Sequence, residues 1–354
     1  MDKKEHIIVG ISIGDLNGIG PEIILKAFED NRVLELCTPV VFANVKLLSF
    51  LKKHFELNVN IHGIDQINQA LPGKLNVLNV WKDNFIIDFG KESPESGKLA
   101  VLSFTEATKA LKTDAIDVLV TAPIHKYNSQ SDQFAFAGHT GYLQQELEGT
   151  ALMLLVSSQL RVGLLTEHVP VADVAKYITP QLIKNKVAVL KKTLQQDFKI
   201  NQPKIAILGL NPHCGDQGVI GKEDDTVIKP TIAELFDQGT YVFGPYASDS
   251  FFGNQTYKKF DAILACYHDQ GLIPFKTISF GEGVNFTAGL NKIRTSPDHG
   301  TGFDIAGKGM AQADSFLEAI YAALDLFEAR EEYQVLSENP LKIVEKQLES
   351  KKMN

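Results

Sequence analysis

The stretch D-V-L-V-T-A-P-I-H-K, Asp117 to Lys126, is a short run of β-branched and apolar residues that breaks at a proline and then delivers a histidine and a lysine. The same grammar recurs in R-V-G-L-L-T-E-H (Arg161 to His168), K-I-A-I-L-G-L-N-P-H (Lys204 to His213) and F-D-A-I-L-A-C-Y-H-D (Phe260 to Asp269). Four to eight such residues bounded by turn-formers read as strands buried on both faces. Ile7 to Ile13, Val40 to Ala43 and Leu152 to Val156 read the same way. Between these runs, Pro21 to Asp30, Lys98 to Lys112, Pro180 to Gln196, Asp224 to Gln238 and Ala313 to Glu331 carry apolar residues at helical spacing. Strands alternating with helices predict an α/β fold whose mostly parallel sheet is covered by helices.

The chain has 354 residues, enough for two domains of ordinary size with a cleft between them. It is 44% hydrophobic and 22% charged, a globular composition, and no segment reaches the roughly 18 apolar residues of a membrane span. The N-terminus lacks the apolar core and cleavage site of a signal peptide, so a cytoplasmic protein with no membrane association is expected. Three cysteines without a C-x-x-C pair suggest reduced thiols. A formal net charge of −8 disfavours nucleic acid as a partner but leaves room for a local basic pocket. The charged tail after Glu331, with Leu341, Ile343, Val344 and Leu348, reads as a peripheral helix.

Each of the four quoted runs carries a histidine just beyond its apolar stretch: His125, His168, His213 and His268. Ligands of open α/β sheets bind beyond the carboxyl ends of the strands, so these four are candidates for one site. Imidazole suits zinc and related divalent ions, and His168, His213 and His268 fit a three-ligand set; hydrogen-bonded loop histidines are the plainer reading. G-D-L-N-G-I-G-P-E (Gly14 to Glu22) could face an anion with the amino end of a helix, or could merely close a turn with Asp15 as a helix cap. Lys276 and Arg294, in glycine-rich surroundings, could bind phosphate or carboxylate, the arginine by a planar fork.

Strings at these places resemble the 4-hydroxythreonine-4-phosphate dehydrogenase family: G-D-L-N-G-I-G-P-E, T-A-P-I-H-K, G-H-T, L-N-P-H-C-G, G-P-Y-A-S-D, Y-H-D-Q-G and V-N-F-T-A-G-L-N-K-I-R-T-S-P-D-H-G-T, in order from residue 14 to residue 301. The resemblance implies a two-lobed fold like that of isocitrate and isopropylmalate dehydrogenases, with the active site in the cleft. Residues 1–124 and 288–354 would form one discontinuous lobe, and 125–287 a second that carries metal ligands and dimer contacts. It implies a homodimer with shared sites, in which His168, His213 and His268 hold a zinc, magnesium or cobalt ion and one ligand comes from the partner. His139, Thr140, Lys276, Asn285 and Arg294 match substrate-binding positions, and Asp249 matches an active-site carboxylate, with Lys126 a further candidate base. NAD is expected along the loop from Asn285 to Thr301, with Asn285, Asp298 and Thr301 as contacts. The implied reaction is NAD-dependent oxidation of 4-phosphooxy-L-threonine, a small phosphorylated hydroxy acid, followed by decarboxylation to 3-amino-2-oxopropyl phosphate in pyridoxal 5'-phosphate (vitamin B6) biosynthesis.

Two departures bear on the substrate. Gly141 and Tyr142 follow His139 and Thr140 where the family commonly has an acidic residue, and Tyr127 to Phe136 is unusually polar. They keep open a dehydrogenase for another acid, such as a four-carbon sugar-acid phosphate or a cyclic diol carboxylate. A non-catalytic metabolite-binding protein is the reading from a different class, and the histidine set counts against it.

Overall fold

A computed structural model describes residues 6–131, 134–136 and 138–339. Its centre is a sheet of twelve strands: β1 (Ile7–Ser12), β2 (Cys37–Ala43), β3 (Ile61–Ile64), β4 (Leu75–Asn79), β5 (Val118–Thr121), β6 (Gly149–Val156), β7 (Arg161–Leu164), β8 (Ile205–Leu208), β9 (Val242–Tyr246), β10 (Ala262–Ala265), β11 (Val284–Leu290) and β12 (Ile293–Pro297). Their spatial order is β3-β4-β2-β1-β5-β12-β11-β6-β7-β10-β8-β9. Pairing is parallel from β3 to β12 and from β7 to β9, but antiparallel at β12/β11, β11/β6 and β6/β7. Three consecutive reversals leave the two flanks pointing in opposite directions.

All seven strands expected from the sequence are present, because β1, β2, β5, β8 and β10 are apolar on both faces and helices cover both. The helices Pro94–Lys112 and Pro180–Asp197 start on proline, and the preceding Ser93 and Thr179 hydroxyls accept from the Ser96 and Leu182 amides. Asn44 caps Val45–His54 in the same way. The long helix Asp314–Ser337 buries Phe316, Ile320 and Ala323. Burial of Phe316 and of Ile320 contributes roughly 1.5–3 kcal/mol each. The tail positions Leu341, Ile343, Val344 and Leu348 lie outside the described residues.

Two sequence readings change. The span Asn285 to Thr301, expected as a loop, is largely the hairpin β11/β12. Val284, Phe286, Ala288 and Leu290 alternate into the core while Asn285 and Thr287 face the other way. Asp15 does not cap the helix Gly20–Ala27, whose N-cap is Ile19 without a side-chain bond. The buried Asp15 carboxylate instead accepts from Ser96 Oγ (2.6 Å), the Asn17 amide (3.0 Å) and Asn128 Nδ2 (3.3 Å). Gly14, at φ +75°, passes so close to Pro123 that a Cβ would lie 2.5 Å from its carbonyl oxygen. The Gly14 to Glu22 segment is therefore a buried junction packed against the end of β5.

No helix among the described residues is long and apolar enough to cross a membrane.

Candidate functional site

The antiparallel middle of the sheet forms the floor of a cleft of about 710 Å³. One face presents neighbouring rows: Ser296, Asn285 and Leu155 are paired across β12, β11 and β6, and Thr287 pairs with Met153 one row away. Arg294 sits in that second row, its Nη1 donating to Thr287 Oγ1 (3.2 Å) and its Nε to Thr121 Oγ1 (3.0 Å). The walls come from strand ends, with Lys126 after β5, His168 after β7 and His268 after β10.

Arg294 is 2% exposed and, among the described residues, meets hydroxyls but no carboxylate. Burial lowers its guanidinium to about 9, so it remains charged at neutral pH. A buried charge without a counter-ion is costly, and an anionic ligand supplies what the protein leaves out. His139 begins the short helix His139–Glu146, its ring edge-on to Phe104 at 4.6 Å. Desolvation and then the Arg294 charge hold it well below the usual histidine range, hence neutral.

Seven buried side-chain polar atoms lack a hydrogen-bond partner among the described residues, and three of them, His139 Nε2, Asn285 Oδ1 and His299 Nε2, belong to this one cleft. Buried polar atoms are nearly always satisfied, so their concentration here marks a place shaped for a polar ligand. Thr140, Lys276 and Asp298 line the same space, and Lys276 Nζ donates to the Asp298 carbonyl (2.6 Å).

The rings of His168 and His268 lie 6.2 Å apart. Burial and the Lys126 charge push His168 down, which favours the neutral, ligating form. His268 Nδ1 is hydrogen-bonded to Asp269 Oδ1 (2.7 Å), a contact that orients the ring and leaves Nε2 outside that bond. Two donors are thus brought together. Among the described residues of one chain no group of three histidine, cysteine or acidic side chains is positioned for a metal.

The remaining expected residues lie elsewhere. His213 is exposed on the turn Pro212–Gly218, where His213, Cys214, Asp216 and Gln217 all have positive φ. Asp249, exposed in the helix Ser248–Gly253, acts electrostatically on Cys214, so His213 and Asp249 share a neighbourhood outside the cleft lining of their own chain. Thr301 follows the cleft residues His299 and Gly300, its carbonyl accepting from the Ile19 amide (2.9 Å).

The cleft also contains Glu167, Asp269 and His299, which the sequence reading did not single out although each adjoins a residue it did. Gly141 lines the cleft, and a Cβ there would come within 3.3 Å of Phe136 Cδ1. Tyr142 packs with Phe104, Phe134 and Phe136, so this departure from the familiar string builds an aromatic wall behind His139. In the polar segment, Asn128 and Ser129 are buried and tied to Asp15 and the His125 carbonyl; Asp132 and Gln133 lie outside the described residues.

Residues 35–323 match the family described as pyridoxal phosphate biosynthetic protein PdxA. The chain is 43% identical over 342 residues to the 4-hydroxythreonine-4-phosphate dehydrogenase of Bacteroides thetaiotaomicron, covering 96% of this chain and 94% of that one. Among solved structures it is similar to the 4-hydroxythreonine-4-phosphate dehydrogenase of Klebsiella pneumoniae, with a TM-score of 0.78, 30% identity and coverage of 92% and 99%. The corresponding enzyme of Burkholderia phymatum gives 0.74 and 32%, covering 91% and 98%.

Proposed function

The chain belongs to the PdxA family of pyridoxal phosphate biosynthetic proteins, and from that premise we propose that it is a dehydrogenase that oxidises 4-phosphooxy-L-threonine with NAD. The β-keto acid formed then loses carbon dioxide to leave 3-amino-2-oxopropyl phosphate. The observation that carries this reading is the buried Arg294, charged, without a counter-ion among the described residues and flanked by the neutral His139 in a cleft with two facing imidazoles. A phosphate dianion answers that charge, and the planar fork of arginine suits it. Thr140, Lys276 and Asn285 complete the phosphate and substrate contacts.

The donor chemistry of the cleft fits a divalent ion such as zinc, magnesium or cobalt. His168 and His268 would hold it, with His213 of the partner subunit as third ligand in a homodimer. The exposed His213, next to the exposed apolar Val219 and Ile220, supports a dimer contact at this turn. Asn285, Asp298 and Thr301 would hold NAD. When bound, the metal supplies Lewis acidity at the hydroxyl and at the later enolate oxygen, and NAD supplies the acceptor for the hydride.

The protein's own part is to place and to desolvate. Arg294 and His139 anchor one end of the substrate, so its hydroxyl is presented toward the imidazoles. Asp249 of the partner subunit, or Lys126 in the cleft wall, takes the hydroxyl proton. The two flanks of the sheet, residues 1–124 with 288–354 and residues 125–287, are read as the two lobes of an isocitrate dehydrogenase-like fold. The return of β12 beside β5 supports that division. The reading places the enzyme in the cytoplasm.

The test is turnover: purified protein, NAD, each metal in turn and synthetic 4-phosphooxy-L-threonine, followed by NADH absorbance. NADH with release of carbon dioxide supports the reading. Turnover of a sugar-acid phosphate or a cyclic diol carboxylate in its place would overturn it.

A further inference from the structure

We infer that His125 is a positioning residue for the nucleotide: its ring, stacked on Phe303, holds the loop 298–303 in the shape that receives NAD. This rests on the function proposed above, in which Asp298 and Thr301 hold that cofactor. Of the four strand-end histidines, His125 is the one that neither the metal set nor the substrate contacts use.

Ile124 and Lys126 line the cleft, and His125 between them does not. Its ring lies instead on that of Phe303, with centroids 5.1 Å apart and planes 23° from parallel. The following turn keeps it there. The Asn128 amide donates to His125 Nδ1 (3.4 Å), and the Ser129 amide and Oγ donate to its carbonyl at 3.0 and 2.8 Å. Asn128 Nδ2 reaches the buried Asp15 carboxylate (3.3 Å), so the ring is carried on a segment tied into the core. An acceptor at Nδ1 places the proton of the neutral ring on Nε2, which faces Glu92 Oε1 at 3.6 Å. Glu92 is exposed and a surface pair of this kind contributes little, so the stack is the contact that counts.

The loop is anchored at both ends. At its start the Asp298 carbonyl accepts from Lys276 Nζ (2.6 Å) and the Asp298 amide donates to Ser315 Oγ (3.4 Å). At its end the Thr301 carbonyl accepts from the Ile19 amide (2.9 Å), and Phe303 sits so close to Gly18 that a Cβ there would come within 3.3 Å of its ring. Between the anchors His299 and Gly300 line the cleft. His299 Nε2 is buried without a partner among the described residues, an atom that a bound nucleotide can satisfy. No described atom lies within 4 Å of where a Gly300 Cβ would stand, so the loop is held from its ends and not by packing at its middle. A loop that must be ordered on binding costs affinity, whereas one already held does not. The His125 stack therefore acts on affinity for the cofactor and leaves the hydride step to other groups.

The experiment measures three things in wild type, His125→Ala, His125→Phe and Glu92→Gln: the NAD dissociation constant by titration calorimetry, kcat with both KM values, and hydrogen exchange of the 299–303 amides in the protein without ligands. In His125→Ala the dissociation constant and the KM for NAD should rise roughly two- to tenfold, the worth of an aromatic pair, while kcat and the KM for 4-phosphooxy-L-threonine stay within about twofold. The same variant should exchange faster at 299–303. His125→Phe keeps the stack and should restore both affinity and protection, and Glu92→Gln should leave both as in wild type. A loss that falls on kcat or on the KM for the hydroxy acid alone would overturn the inference, as would unchanged exchange in His125→Ala. A Glu92→Gln loss equal to that of His125→Ala would assign the effect to the ion pair and overturn the stack. Wild type that binds and reduces NAD while His125→Ala binds it equally well would overturn the inference and leave the proposed function standing. Wild type with neither turnover nor NAD affinity would overturn both.

Discussion

Two arginines are buried in this molecule and their surroundings are opposite. Arg330, 7% exposed, meets Asp197 through a bidentate pair at 2.9 and 3.0 Å and donates to the Leu290 carbonyl (3.2 Å). Arg294, 2% exposed, has hydroxyl partners and open space. The first charge is neutralised by the fold and ties the helices Pro180–Asp197 and Asp314–Ser337 together. The second is left for something outside the chain. Buried charge by itself is uninformative; the identity of its partner separates a structural residue from a binding one.

The largest expected effect breaks the structural member. Asp197→Ala strands Arg330 without its counter-ion and should destabilise the protein by about 3–5 kcal/mol, read by urea unfolding, while kcat/KM per folded molecule is kept. An apolar double replacement, Asp197→Leu with Arg330→Met, should recover most of the loss. Recovery that fails would mean the pair is more than a balanced charge.

A second comparison uses inorganic phosphate as probe. At about a hundredfold excess over its dissociation constant, phosphate should stabilise wild type by about 2.7 kcal/mol, seen as a raised Tm. Arg294→Met should lose that response and start from an equal or higher Tm, because an uncompensated buried charge has gone. An undiminished phosphate shift in the variant would remove Arg294 from the site.

The smallest effect concerns acid. His139 and His168 have folded-state values below the ordinary 6.5 because burial disfavours their charged forms. Below about 6.5 the unfolded chain takes up protons that the folded chain refuses, so their contribution to stability is present above that pH and lost below it. His139→Asn should flatten the decline of Tm between neutral and mildly acidic pH. A slope identical to wild type would show that His139 takes up its proton as readily in the fold as in the unfolded chain.

Much of this was legible in the residues because strands buried on both faces announce themselves as continuous apolar runs. β1, β2, β5, β6, β7, β8 and β10 were all readable. Those that were not have physical reasons. Ile61–Ile64 is short and half-exposed, and Val242–Tyr246 contains Gly244 and Pro245, which read as a turn. The helix His268–Ile278 hides behind Gly271 and Pro274. β11 carries the period-two alternation of a strand but its polar face lines the cleft, and β12, I-R-T-S-P, is buried along its whole length while three successive residues are polar, so both read as a loop. The site was legible as a set of strand ends. The distribution of its members was not, because burial, neighbours and the absence of a counter-ion are properties of packing. The His168 and His268 rings lie 6.2 Å apart while His213 and Asp249 are exposed outside the cleft lining of their own chain, a separation that linear spacing does not encode.

The account stands most directly on one ratio: kcat/KM for 4-phosphooxy-L-threonine divided by that for unphosphorylated 4-hydroxy-L-threonine, in wild type and in Arg294→Met, at saturating NAD and metal. A charged hydrogen bond of ~1.5–3 kcal/mol predicts that the ratio collapses by roughly ten- to a hundredfold in the variant. An unchanged ratio would contradict the claim that the unpaired arginine reads the phosphate.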